Sequence, residues 1–386
     1  MKSNYNQLGQ YIEMVSRTNS DLKYGIEDVR GCSNTKQMMQ TRANLIGRTY
    51  EKFIVLRPQE FVFNRRTTRN GEKIGMAYNN TDREYIFTND YVAFRVKQEY
   101  LDKLLPDYLY MFFCRDEFDR YARYKSTGSA TEFFNWEDMC AVPFEIPPMD
   151  FQQLVVNAYK VLNERIETKQ KINDNLATQA LTLFSDFVSH LSKKLEQRKL
   201  GDVIASANTG GDAIQKVPIV DYDTGIKCAR VGDITNAREY ASWAFCNASK
   251  SVYDNYKLQA GDILVTRTAT LGITQYIAKD ISAVYNNGLI RLKVNDTNAL
   301  PLYIYWAMKT SDFLNYINQM NSATSVRPNM KIDYLLNYQL SIPSIEEQTQ
   351  FTNAVEPLMK AISLNNDEIL KLSEFQAIIL TTLSSR

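Results

Sequence analysis

Along this chain the spacing of apolar positions switches between two regimes, and the longer regime organises the rest. From about Phe151 to about Lys199 the stripe repeats every seven residues at Val155, Leu162, Lys169, Leu176 and Leu183. Ile166 and Ala180 fall four positions beyond Leu162 and Leu176 and broaden it. Neither Gly nor Pro occurs there before Gly201, so nothing breaks a helix. The spacing predicts one helix of about 45 residues, roughly 65 Å long. An ordinary globular core does not need such a length, so the helix reads as a spacer.

A shift of 196 positions carries the stripe onto Phe351, Leu358, Asn365, Leu372 and Ile379, with Ile362 for Ile166 and Gln348 for Gln152. Only the third position of each stripe is polar, Lys169 in one and Asn365 in the other. A single polar seam position fixes register at some cost in stability. Antiparallel pairing about the midpoints would bring Lys169 beside Asn365. The competing reading, two unrelated amphipathic helices packed on their own domains, does not account for the matched shift.

Outside the helices the spacing is short and the plan is again used twice. LGQYI (Leu8 to Ile12) matches LGDVI (Leu200 to Ile204), and QEFVFNRRTTR (Gln59 to Arg69) matches AGDILVTRTAT (Ala260 to Thr270). YIFTNDYVAFRVK (Tyr85 to Lys97) and SAVYNNGLIRLKV (Ser282 to Val294) alternate as strands do. DYLYMFFCRDEFDRYA (Asp107 to Ala122) and LYIYWAMKTSDFLNYI (Leu302 to Ile317) each read as an amphipathic helix. A small polar loop follows, STGSAT (Ser126 to Thr131) or NSATS (Asn321 to Ser325). A strand ending in Ile-Pro then closes each half, VPFEIPP (Val142 to Pro148) or YQLSIP (Tyr338 to Pro343).

The expected fold is therefore two tandem α/β (α+β) domains, residues 1–147 and 199–343, with long helices at 148–198 and 344–386 pairing as an antiparallel coiled coil. An internal duplication of this kind predicts a pseudo-twofold molecule.

Composition adds exclusions. Hydrophobic residues make up 44% and charged residues 23% of 386, ordinary for a globular chain with a sizeable core. No apolar run is long enough to span a membrane, and the start, MKSNYNQLGQYIE, lacks the apolar core of a signal peptide. Five cysteines without a C-x-x-C pair fit reduced thiols in a cytoplasm. One histidine, His190, cannot supply a His-based metal cluster, a Ser-His-Asp triad or a Cys-His pair in each half. The chain has no phosphate-binding P-loop and no dinucleotide fingerprint. It also lacks the Asn-Pro-Pro-aromatic motif and the glycine-rich cofactor loop of amino-methyltransferases. The sequence reads as a binder without catalysis, metal or cofactor of its own.

Net charge is +1, yet charge is unevenly placed. Arg42, Arg48, Lys52, Arg57, Arg65, Arg66, Arg69 and Lys73 face only Glu51, Glu60 and Glu72 in the same run, a pattern for a phosphate-facing patch or a solvated face. The loops shared by both halves carry Arg, Thr, Ser and Asn, which contact phosphates and base edges. In the first half the candidates are Arg65, Arg66, Thr67, Arg69, Lys73, Ser126, Thr127, Ser129 and Thr131. In the second they are Thr266, Arg267, Thr268, Thr270, Asn321, Ser322, Thr324, Ser325, Arg327 and Lys331. Turn or cap roles are the alternative for each Ser and Thr.

On these residues the chain resembles the DNA specificity subunit of type I restriction-modification enzymes. GDILVTR (Gly261 to Arg267), NNGLIRLK (Asn286 to Lys293), GSAT (Gly128 to Thr131) and IPSIEEQ (Ile342 to Gln348) carry the likeness. The first half departs from it, with QEFVFNR in place of GDILVTR and Phe151 where Glu is usual, so its helix start is expected to be capped differently. The resemblance implies two target recognition domains, each reading one half of a split, asymmetric double-stranded DNA sequence, with the helices as a ruler between them. It implies two methyltransferase subunits docked on the helices, bringing S-adenosylmethionine and methylating adenine. Restriction subunits with ATPase and nuclease activity, and with ATP and Mg2+, would join outside them. Two other readings stay open: the specificity subunit of a type II-like methyltransferase-nuclease, and a coiled-coil scaffold whose domains bind proteins.

Overall fold

The computed structural model describes residues 6–41, 45, 47–67, 73–128, 131–191, 197–212, 215–323 and 329–383, without the side chains of 320–323. Two compact units emerge, Met1–Ile166 with Lys371–Arg386, and Glu167–Leu370. The long helices, Met149–His190 and Ile345–Thr382, each contribute to both.

The units share one sheet topology. In the first, the antiparallel order is Ile12–Val15, Tyr91–Val96, Phe61–Asn64, Met76–Tyr78. In the second it is Ile204–Thr209, Leu289–Val294, Ile263–Thr266, Thr274–Tyr276. Pairing of Phe61 with Phe94, and of Ile263 with Leu292, sets Gln59 against Gly261 and Arg65 against Arg267, the register of QEFVFNR on GDILVTR. Gln59 and Gly261 both have positive φ. Glu60 and Asp262, the next residues, are buried and accept the backbone N–H of Arg57 and Gln259.

Side-chain alternation divides each strand between two layers. Phe61 and Phe63 face a core with Leu109, Phe113, Phe118 and Val155, while Val62 packs with Leu56 and Phe87 on the other side. Ile263 and Val265 face Ile304, Phe313, Phe184 and Phe351, while Leu264 joins Tyr285 and Trp243. Both faces are covered, so these strands are continuously apolar. The expected strand Tyr85–Lys97 is two, Tyr85–Phe87 and Tyr91–Val96, and its counterpart is likewise Ala283–Tyr285 and Leu289–Val294. The polar turns Thr88–Asp90 and Asn286–Gly288 divide them. Each expected amphipathic helix is also a pair, Pro106–Phe113 with Asp116–Lys125, and Pro301–Ala307 with Ser311–Ala323. A proline at the first helical turn starts the leading member in both.

One buried glutamine anchors each long helix. Gln152 accepts from Leu105 N (2.9 Å) and donates to the carbonyls of Lys103 (2.7 Å) and Pro147 (2.8 Å). Gln348 accepts from Leu300 N (2.7 Å) and donates to Pro343 O (2.9 Å). Both are fully buried. Replacing Gln348 by leucine orphans a backbone donor and a carbonyl, so Gln348→Leu is expected to cost about 2 kcal/mol, read as a lower urea midpoint at unchanged slope. The helix starts do differ. Ser344 and Glu347 form a reciprocal cap, the carboxylate accepting from Ser344 N at 2.9 Å and the hydroxyl from Glu347 N at 3.2 Å. Phe151, in the place of Glu347, instead packs edge-on against Tyr108.

Pairing of the helices is antiparallel within each unit. In the second, Lys169 Nζ donates to Asn365 Oδ1 (3.0 Å) and lies 2.7 Å from Glu368 Oε2. Asn173 donates to Asn366 (2.7 Å) and Asn365 to Asn173 (2.9 Å). In the first unit Gln376 bonds Asn163. Val155, Phe351 and Leu372 are buried; Leu162, Ile166, Leu176, Leu358, Ile362 and Ile379 are half-buried. Leu183 does not belong to the seam. It is 40% exposed, and Ala180 and Phe184 are buried instead. A helix of about 3.6 residues per turn lags a seven-residue repeat by about 20° per heptad, so four heptads beyond Val155 the inward position has passed from Leu183 to Phe184.

Candidate nucleic-acid interface

The same end of each sheet gathers the candidate loops. In the first unit the strand Phe61–Asn64 runs into Arg65, whose carbonyl accepts Phe134 N at 2.9 Å. Thr67 N donates to Glu132 O (3.0 Å), and Thr127 and Phe133 exchange backbone bonds at 3.1 and 2.9 Å. The segments carrying Arg65–Thr67 and Ser126–Thr131, about 60 residues apart in sequence, are thereby stitched through one short segment. In the second unit Arg267 O accepts Met330 N at 2.8 Å, and Thr268 bridges Asn329. Phe134 and Met330 occupy corresponding places, two residues before the short helices Trp136–Cys140 and Ile332–Leu336. Asn135 and Lys331 lie between.

Individual side chains sort into surface and support. Arg65 and Arg66 are exposed; the Arg65 guanidinium lies 6.0 Å from the Phe133 ring, and Arg66 is 3.6 Å from Asp90. Lys73 is exposed and 3.4 Å from Asp116. Thr127, Thr270 and Lys331 are exposed, while Ser126, Thr131 and Thr268 are half-buried. Two candidates are corrected. Thr67 is buried, with its hydroxyl on Glu132 O (3.2 Å), and Thr266 is buried, with its hydroxyl accepting Ile273 N (3.0 Å). Both are the last inward residues before the loop, so neither side chain faces an incoming ligand. The Ser126 hydroxyl donates to Ala122 O (2.7 Å) at a helix end. Arg267 is half-buried and fastened, Nε to Met330 O (3.2 Å) and Nη1 to Asn287 O (3.2 Å) and Oδ1 (3.3 Å). Arg69, Ser129, Thr324, Ser325 and Arg327 lie outside the described residues, as do the side chains of Asn321 and Ser322.

Gly128 explains its place in GSAT. Its φ is +148°, and a Cβ there would stand 2.0 Å from Thr131 O. Gly288 is similarly confined, since a Cβ would meet Val231 Cγ2 at 2.4 Å and Thr268 Oγ1 at 2.9 Å. That close approach brings Arg230–Arg238 to the second-unit loops. There the buried Asp233 carboxylate accepts from Arg230 Nε (3.2 Å) and Arg238 Nη1 (3.3 Å). Sequence reading missed Arg230, Arg238, Asn287 and the 83% exposed Tyr124 beside Ser126. Asn-Asn-Gly was a legible turn; the Arg-Asp-Arg cluster has no local signal.

The arrangement can donate and accept hydrogen bonds over a surface. Burial pushes the Cys32 thiol up to about 12 and the Cys114 thiol up to about 11, so both stay protonated at neutral pH and are poor nucleophiles. Among the described residues no group of three or more His, Cys, Asp or Glu could hold a metal ion, and no helix is long and apolar enough to cross a membrane.

Comparisons with known proteins agree with this layout. Residues 192–374 match the family described as type I restriction modification DNA specificity domain. The chain is 22% identical over 313 residues to the type I restriction enzyme MjaIX specificity subunit of Methanocaldococcus jannaschii, covering 73% of this chain and 69% of that protein. Among solved structures, the S subunit of a type I restriction-modification system from M. genitalium superposes with a TM-score of 0.51 at 14% identity, over 98% of this chain and 96% of that one, and shares the fold. The HsdS subunit from Thermoanaerobacter tengcongensis gives 0.36 at 16% identity, over 98% and 95%.

Proposed function

We propose that this chain, which belongs to the type I restriction-modification DNA specificity family, reads a split, asymmetric DNA target with one domain per half-site. It is a DNA-recognition subunit and not a catalytic one. The observation that carries the division into half-sites is the repeated stitch, Arg65 O to Phe134 N and Arg267 O to Met330 N. It holds equivalent loops at equivalent sheet ends in two separate units.

Arg65, Arg66 and Lys73 would hold phosphates in the first half. Asn287, Thr268, Thr270 and Lys331 would face the second half-site, with Arg267 fixing the loop that carries them. Phosphate contacts set register and orientation, and base-edge contacts specify. The paired helices act as the ruler and dock two methyltransferase subunits, which hold S-adenosylmethionine and methylate a flipped-out adenine in each half-site. Restriction subunits using ATP and Mg2+ join outside them, in the cytoplasm. This chain binds no cofactor itself.

The test is co-expression with a methyltransferase partner and mapping of methylated adenines in host DNA. One split motif, lost when this chain is deleted, is expected. Methylation that persists unchanged without the chain would reject the reading.

A further inference from the structure

The polar layer of the seam is larger than register needs, and it leads out of the helices. Lys169 Nζ donates to Asn365 Oδ1 (3.0 Å), and Asn365 Nδ2 to Asn173 Oδ1 (2.9 Å). Asn173 Nδ2 then donates to Asn366 Oδ1 (2.7 Å), and Asn366 Nδ2 to Glu239 Oε1 (2.6 Å). Each amide accepts one bond and donates the next, from an ammonium at one end to a carboxylate at the other. Lysine only donates and an ionised carboxylate only accepts, so the two ends fix the direction of all three amides. Bonds aligned in this way polarise and strengthen one another. The internal duplication does not call for them. A single polar seam position sets register. The shift of 196 that matches Lys169 with Asn365 matches Asn173 with Ile369 and Asn366 with Gln170.

Glu239 ends the ladder and begins a strap. Its neighbour Arg238 donates its backbone N–H to Asp233 O (2.8 Å) and Nη1 to Asp233 Oδ1 (3.3 Å). The Arg238 carbonyl accepts the indole N–H of the buried Trp243 (2.9 Å). Ala237, beside Arg238, is held at a φ of +49°, which an L-residue keeps only where its surroundings impose it. Asp233 also holds Arg230. Next to Arg230, the Ala229 carbonyl accepts Asn286 N (3.0 Å), in the turn whose Asn287 anchors Arg267. Hydrogen bonds and adjacent residues thus join the helix seam to the second-unit loops.

We infer that the ladder is a positioning device for recognition. Asn366 holds Glu239, Glu239 sets the strap of residues 229–243, and the strap places Arg230, Arg238 and Asn287 against the second half-site. The inference rests on the specificity-subunit reading and names the residues that orient one domain's DNA-facing loops. The ladder acts through the strap and not by contact with DNA. Glu239 is exposed and Asn366 half-buried, so cutting their bond should leave the fold standing.

Glu239→Ala and Glu239→Gln separate the roles, since glutamine keeps an oxygen for Asn366. The chain with its methyltransferase partner is titrated onto its mapped split target and onto copies with either half-site scrambled. Melting curves are run alongside. For Glu239→Ala, discrimination at the second half-site should fall about fivefold, the worth of one hydrogen bond, with discrimination at the first unchanged. Glu239→Gln should restore most of it, and Asn366→Ala should repeat the alanine result. Full discrimination at the second half-site in Glu239→Ala overturns the inference, whatever the melting temperature does. So does an equal fall at both half-sites, which would mark general destabilisation. So does a glutamine variant as impaired as the alanine one, because charge and not the ladder bond would then matter. If wild-type chain discriminates at neither half-site, the specificity-subunit reading fails first and the positioning role with it.

Discussion

Lys36→Met is expected to destabilise the first unit by about 3–5 kcal/mol, the range for breaking a buried ion pair from one side. Lys36 Nζ donates to Ile74 O at 2.8 Å and to Asp119 Oδ1, and both side chains are nearly inaccessible. Burial holds the Lys36 ammonium below the usual lysine range, against the raising effect of Asp119. Asp119 also accepts Ile74 N at 3.0 Å. Three pieces of chain meet at this pair: the turn of Lys36, with its φ of +63°, the residue that follows the basic loop, and the helix that leads into Ser126–Thr131. Methionine would fill the space and leave the carboxylate dehydrated and unpaired. Adding Asp119→Asn removes that charge and keeps an acceptor for Ile74 N, so the double variant should regain most of the loss. Hydrogen exchange across residues 73–128, with urea melts, checks both. A loss under about 1 kcal/mol for Lys36→Met would mean that water reaches the pair.

What could be read in advance follows from which interactions are local. Gln152 and Gln348 and the paired stripes were legible because each buries the same surface twice, and burial leaves a periodic trace. The polar seam was legible for the same reason. Lys169 and Asn365 interrupt an otherwise apolar row, and the neighbours that satisfy them, Asn173 and Glu368, lie within one turn of the seam. Loop chemistry was not. Thr67 and Thr266 have the composition of loop residues but are covered, Thr67 by Glu132, a segment remote in sequence, and Thr266 by the Leu271–Ile273 turn that folds back just after it. Arg267 looked like a free cation, yet its partners are carbonyls at Asn287 and Met330. Only the tertiary stitch shows that. The Leu183 error is of another kind, a heptad count applied to a helix that keeps its own period.

Arg65→Ala combined with Arg66→Ala is expected to weaken binding of the methyltransferase-bound chain to its split target by about 100-fold, or about 2.7 kcal/mol. The salt dependence of log K should flatten by about two charges' worth, roughly 1.8 in slope. Both guanidiniums are exposed and stand at the mouth of the first-unit stitch. The Arg66–Asp90 pair is open to water on both sides, with side chains 59% and 61% exposed. Exchanging it for a phosphate therefore costs about 1 kcal/mol at most. Arg83→Ala is the matched control, an exposed arginine at Asp28 and Tyr85, outside the stitch. DNA with a scrambled first half-site separates the two ways the pair could act. If the arginines only hold phosphates, the double variant loses as much on scrambled as on intact DNA. If either reads a base edge, the loss on intact DNA exceeds that on scrambled DNA by about 1–3 kcal/mol per contact. An unchanged affinity together with an unchanged salt slope would remove the first-unit stitch from the DNA-binding surface.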